Sequence, residues 1–176
     1  MSTNMELIEA KTLASNTATI TFSSIPQTYT DIVLRYSTRS TVADGSAPSQ
    51  NQAIRFNSDT GANYKLILLA GSTPSTAESA ITTTGTSIFW NYATSPNATA
   101  NTFSNGEIYI PNYTSSNYKS ASIDGVTENN STTSNVNLTA ALWNNTDAIN
   151  TITITDTNSG SFVTNSTFYL YGIKNS

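Results

Sequence analysis

Histidine and cysteine are both absent from this 176-residue chain, and charge is scarce: seven Lys and Arg stand against eleven Asp and Glu. Without cysteine there is no disulfide, thiolate nucleophile or thiolate metal site. The lack of histidine removes the commonest general base and the commonest transition-metal ligand. A formal net charge of −4 works against capture of phosphate backbones or anionic lipid, so neither nucleic acid nor a membrane is expected as partner, and no cofactor is expected either. Long apolar runs are also missing. The most apolar stretch, YKLILLAG at 64–71, is far short of the roughly 20 residues of a membrane span. Its length predicts a buried strand or a single helical turn in the core. The opening MSTNMELIEAKTL lacks the basic and apolar regions of a signal peptide.

What is present is polar but nearly uncharged. Ser, Thr and Asn make up roughly two residues in five. Nine Tyr, six Phe and two Trp recur among Ile and Val at short intervals, which gives the chain enough apolar surface to fold. Its length suits one domain that needs neither metal nor disulfide to close a core.

From residue 17 onward, runs rich in Thr, Ile, Val, Tyr and Phe alternate with Ser, Asn, Gly and Pro, the pattern of strands punctuated by turns. TATITFSSI sets Ala18, Ile20 and Phe22 opposite Thr17, Thr19 and Thr21; TDIVLRYSTRS sets Ile32, Leu34 and Tyr36 opposite Val33, Arg35 and Ser37. AIRFN runs into the turn residues NSDTG, and SIFWNY places Ile88, Trp90 and Tyr92 opposite Phe89. GEIYIPNYTSSNYKSASIDG reads as a hairpin, with Ile108 and Ile110 stopped by Pro111 and with Ala121 and Ile123 inward on the return. VNLTAALW, INTITITDT and STFYLYGIK follow, Phe168, Leu170 and Gly172 facing one way in the last. Phe22, Leu34, Ile110 and Leu170 are expected in the core. MELIEAKTL and STAESAI are the weak helical candidates. Eight to ten short strands predict an all-β fold, an antiparallel β-sandwich of jelly-roll type, with an immunoglobulin-like sandwich as the alternative that periodicity leaves open. Residues 1–12 are expected as a short N-terminal arm and 13–176 as the single sandwich domain. Met5, Leu7, Ile8 and Leu13 would pack the arm against a neighbouring subunit or a shell.

Few side chains offer chemistry. Glu107, Asp124 and Glu128 are the acidic residues closest together, and a glycosidase would need two carboxylates at a defined separation in a cleft. Their positions read instead as a strand start, an Asp-Gly turn and a polar loop. DTNSG at 156–160 has Gly160 where a calcium loop needs a ligand, and reads as a turn. Arg35, Arg39 and Arg55, the three arginines, could form a small anion site or pair with Asp31 and Asp59, and solvated pairs on a sheet face are the expectation. Asn-x-Ser/Thr triplets at Asn97, Asn112, Asn130, Asn137 and Asn165 follow from composition. The tyrosines Tyr109, Tyr113 and Tyr118 are candidate surface contacts, since Tyr suits both strands and interfaces.

TFSSIPQTYTDIVLRYSTR, IRFNSDTGANYK, EIYIPNYTSSNYKS and FYLYGIKNS resemble a group of small virion proteins of tailed bacteriophages, especially those of marine bacteria and cyanobacteria. The resemblance runs from about Leu13 to the C-terminus. It implies a virion component, capsid-associated or tail-associated, with no catalytic signature. The expectation is therefore a non-enzymatic capsid decoration or cement protein on the outer head surface. It would be made in the bacterial cytoplasm, form a homotrimer, and bind the major capsid protein or other virion proteins. A tail-fibre or tail-tip domain binding host polysaccharide is the alternative, and a carboxylate-dependent glycan hydrolase the third reading. The chain shows no coiled-coil or β-helix stalk, and a decorating domain needs none.

Overall fold

The computed structural model describes residues 4–43, 49–72, 76–127, 129–130 and 134–174, the side chains of residues 76 and 90–92 excepted. All regular structure among them is β. The strands are β1 (Met5–Thr12), β2 (Thr19–Phe22), β3 (Asp31–Thr38), β4 (Ser49–Phe56), β5 (Tyr64–Ser72), β6 (Thr76–Gly85), β7 (Ile88–Thr94), β8 (Ser104–Ile110), β9 (Lys119–Thr127), β10 (Asn135–Trp143), β11 (Ile152–Asp156) and β12 (Thr167–Ile173).

These strands follow the alternation of the sequence. Ile20 and Phe22 are buried while Thr19 and Thr21 are exposed, and Phe168, Leu170 and Gly172 point inward on β12. Phe22, Leu34, Ile110 and Leu170 all lie in the core. Turn chemistry falls between strands: Asn57 and Ser58 after β4, and Asn158 and Ser159 after β11, take positive φ. Such conformations suit Asn and other short polar residues. β8 ends at Ile110, directly before Pro111.

Two antiparallel sheets form a sandwich. One has eight strands in the order β1-β12-β3-β8-β9-β10-β5-β6, the other four in the order β2-β11-β4-β7. Strands β2 to β5 pass alternately between the sheets, and β2 lies beside β11, which is jelly-roll connectivity. The immunoglobulin-like alternative is excluded, since there the first two strands share a sheet. The meander β8-β9-β10 fills the place of one jelly-roll strand, and β12 with β1 extends the large sheet at its far edge.

Several expectations are corrected. The arm is part of the sandwich: Met5 to Thr12 pair with Ile173 to Thr167 of β12. Ile8 packs against the core, Leu13 is buried, Met5 is half-buried and only Leu7 stays exposed. An edge strand satisfies backbone groups that a free arm would leave to water, and the alternation around Leu7 and Ile8 suits a strand as well as a helix. Residues 76–81 of STAESAI likewise lie in β6, and Ser75 falls outside the described residues. YKLILLAG is a strand buried on one side, with Ile67 and Leu69 in solvent.

The interior changes character along the strands. At one end Phe56, Tyr64 and Trp143 pack together, the Phe56 and Trp143 rings 5.6 Å apart and the Tyr64 and Trp143 rings stacked at 6.4 Å. The Trp143 indole donates to Asp59 Oδ2 at 2.7 Å. At the other end the inward residues are polar, and side chains link the sheets: Gln52 Nε2 donates to Thr38 Oγ1 at 2.8 Å and Asn135 Nδ2 to Ser49 Oγ at 3.0 Å.

Candidate contact face

The outer face of the large sheet holds most of the residues with chemical interest. Strand register arranges them in rows. One row runs Ile81, Ile67, Ala140, Ser122, Tyr109, Val33, Tyr171, Leu7, and the next Ser79, Leu69, Leu138, Asp124, Glu107, Arg35, Tyr169, Ala10. The face therefore divides into an aliphatic area on β6, β5 and β10, a charged strip on β9, β8 and β3, and tyrosines toward β12.

In the aliphatic area Ile67, Leu69, Ile81, Val136 and Leu138 are each more than half exposed, Ile81 at 71%. Single exposed aliphatics are ordinary, whereas contiguous exposed apolar patches are characteristic of interaction surfaces, which makes this area the candidate contact face. A shallow groove of about 450 Å³ lies between this area and the charged strip, lined by residues that include Leu69, Leu138, Asp124, Glu107 and Tyr109.

The charged strip is a local network. Arg35 Nε meets Glu107 Oε2 at 2.7 Å, and this partner raises the guanidinium's pKa. Asp124 Oδ1 accepts the Glu107 backbone amide at 3.1 Å. Glu107 and Asp124 are direct cross-strand neighbours within β8 and β9, which corrects the reading of Asp124 as a turn residue and Glu107 as a strand start. Both sit on an open face, and Glu107 is tied to Arg35. Glu128 lies outside the described residues.

The expected arginine pairs are also revised. Arg39 donates to the carbonyls of Ala98, Thr99 and Thr102, and Arg55 to that of Thr86. Asp31 accepts from Tyr109 Oη at 2.8 Å and from the Asn112 amide, while Asp59 accepts from Gly61, Asn63 and Trp143. Burial pushes the Asp59 pKa up, but these three hydrogen bonds outweigh it and hold the carboxyl below its usual range.

The three tyrosine candidates separate. Tyr113 is fully buried with its hydroxyl on the Pro26 carbonyl, so it is a core residue. Tyr109 is half-buried on the outer face, and Tyr118 is exposed in the β8–β9 connection. Sequence reasoning missed the aliphatic area. In VNLTAALW the parity that matters is set by Trp143, whose inward anchor turns Ala141, Thr139 and Asn137 inward and Val136 and Leu138 outward.

One buried acid remains. Asp156 sits opposite Gln52 at the polar end of the core, and burial pushes its pKa up to about 6. The Ser40 hydroxyl and the Thr157 amide lie beside it and offset burial in part, but neither carboxylate oxygen completes a hydrogen bond of normal geometry.

Among the described residues no group of three or more acidic residues could hold a metal ion, and DTNSG forms a turn closed by the Gly160 amide on the Thr157 carbonyl at 3.1 Å. No protein-family model matches the sequence, and no curated protein is significantly similar to it.

Proposed function

We propose that this chain is a non-enzymatic structural protein of a tailed-phage virion, acting as a decoration protein on the outer surface of the head. The observation that carries the contact-making part of this reading is the exposed aliphatic area on β5, β6 and β10, a surface suited to burial against protein. The acids near it, Glu107 and Asp124, line only a shallow open groove and are engaged in a structural network, Glu107 with Arg35 and Asp124 with the Glu107 amide, which speaks for a structural rather than a proton-transfer role. The virion location rests on the resemblance of the quoted segments alone. Its test is co-sedimentation of purified protein with heads assembled without it. Saturable binding in fixed ratio to the capsid protein is the expected result, and failure to bind refutes the decoration role.

A specific feature favours the tail-tip reading as the second one. The groove beside Glu107, Asp124 and Tyr109 combines carboxylates with an aromatic edge, groups that can hydrogen-bond and stack on a sugar. Retention of host polysaccharide by the protein, without cleavage, would support it over the decoration role.

A further inference from the structure

We infer that the aliphatic area is the seat of a second copy of this chain, in a twofold dimer whose large sheets pack face to face with their strands crossing at near right angles. The pattern of the face is self-complementary about one diagonal. Leu69 on β5 and Ala140 on β10 lie on a line crossing the strands obliquely. A twofold axis along that line sets Leu69 against its own copy, Ile67 against Leu138 of the second copy, and Ile81 against Val136. The apolar area is thus two arms of equal make-up, one across the strands and one along β10, and orthogonal sheet packing lays one arm on the other.

Charge follows the same symmetry. Lys65 lies on the outer face of β5, two residues before Ile67, and has no ion-pair partner among the described residues. Asp124 lies at the opposite corner, beyond Leu138 on β9, and has none either. The axis that matches the aliphatics brings Lys65 of each copy to Asp124 of the other. The face from β6 to β9 spans four strands about 4.8 Å apart, and its corrugated surface approaches the roughly 800 Å² per partner of a standard interface. No charged side chain stands inside the aliphatic area, so the dimer buries no unpaired ion at its centre. This dimer is an alternative to the homotrimer expected with the decoration reading; it takes up the aliphatic area itself, so a head would be met by the other faces of the pair.

The test is the mass in solution by sedimentation equilibrium, with thermal unfolding as the control for folding. Full-length wild type is expected as a dimer. Lys65→Glu and Asp124→Lys should each weaken dimerisation at least about tenfold, because each sets like charges against each other twice per dimer. The double variant K65E/D124K should restore it. A wild-type monomer or trimer, single variants without effect, or a double variant no better than the singles would overturn the inference. Head binding by a protein that fails this test would leave the decoration role standing, and a dimer that binds no heads would leave the dimer standing.

Discussion

Leu69 on β5 and Leu138 on β10 are direct cross-strand partners, and each leaves more than half of its surface in solvent. Stability and association therefore separate on this face. Leu69→Thr or Leu138→Thr should change the unfolding free energy of the isolated chain by about 0.5 kcal/mol or less, as surface substitutions do. Leu34→Ala or Leu170→Ala, in the closed core, should cost about 2 to 5 kcal/mol. Urea unfolding at protein concentrations low enough to exclude association checks the contrast. Equal losses at the two kinds of site would mean that the outer face is packed within the chain.

Gly106 on β8 lies opposite Tyr36 on β3, whose hydroxyl reaches the Asp124 carbonyl at 3.2 Å. A Cβ at Gly106 would stand 2.3 Å from both that hydroxyl and the Asp124 carbonyl oxygen. The Asp124 carbonyl is strand backbone and cannot swing aside. Gly106→Ala should destabilise by about 1 to 3 kcal/mol through overpacking, and Tyr36→Phe should not rescue it. Thermal unfolding of the two single variants and the double variant tests this, and a neutral Gly106→Ala would contradict it.

Asp156 and Asp59 make opposite contributions to the pH dependence of stability. The Asp156 pKa is raised on folding, to about 6, so its cost is absent in acid, develops as pH rises from the unfolded value near 4 through the folded one, and is full above that. Asp156→Asn should raise stability at pH 7 by up to about 3 kcal/mol and leave it nearly unchanged at pH 4. For Asp59, depressed in the folded state, the contribution is present at neutral pH and is lost as pH falls below about 4. Asp59→Asn should therefore cost more at pH 7 than at pH 3. Denaturant titrations at these pH values decide the matter, and an Asp156→Asn gain equal at pH 4 and pH 7 would contradict the assignment.

Arg35 and Glu107 are paired but exposed, with side chains 55% and 39% accessible. Such a pair is worth at most about 1 kcal/mol and is screened by salt. Arg35→Ala should shift stability by no more than that, and less at 1 M salt. A larger loss would point to an unscreened, functional role for the pair.

Much of the fold is legible in the sequence because a two-residue period and turn residues determine strands locally: Ile20 and Phe22, Leu34 and Tyr36, and Phe168 and Leu170 face inward as their alternation predicts. The arm misleads because Met5 to Thr12 carry an ambiguous period, and its strand character comes from β12, a partner at the other end of the chain. The aliphatic area is hidden for a different reason. YKLILLAG is apolar at both parities, and VNLTAALW carries polar residues inward, so local alternation gives no face or the wrong one. The faces are decided by the anchored Tyr64 and Trp143 at the strand ends, a tertiary fact. Tyr113 is misread because a tyrosine after a proline turn looks solvent-facing until its carbonyl partner at Pro26 is known.

The central claim, a contact protein on the outside of a phage head, is tested most directly by a density map of the intact virion. The expected result is density of this jelly-roll sandwich seated outside the shell of the major capsid protein and repeated with the symmetry of the head. Density for this chain at the tail tip alone, or its absence from the virion, would contradict that claim.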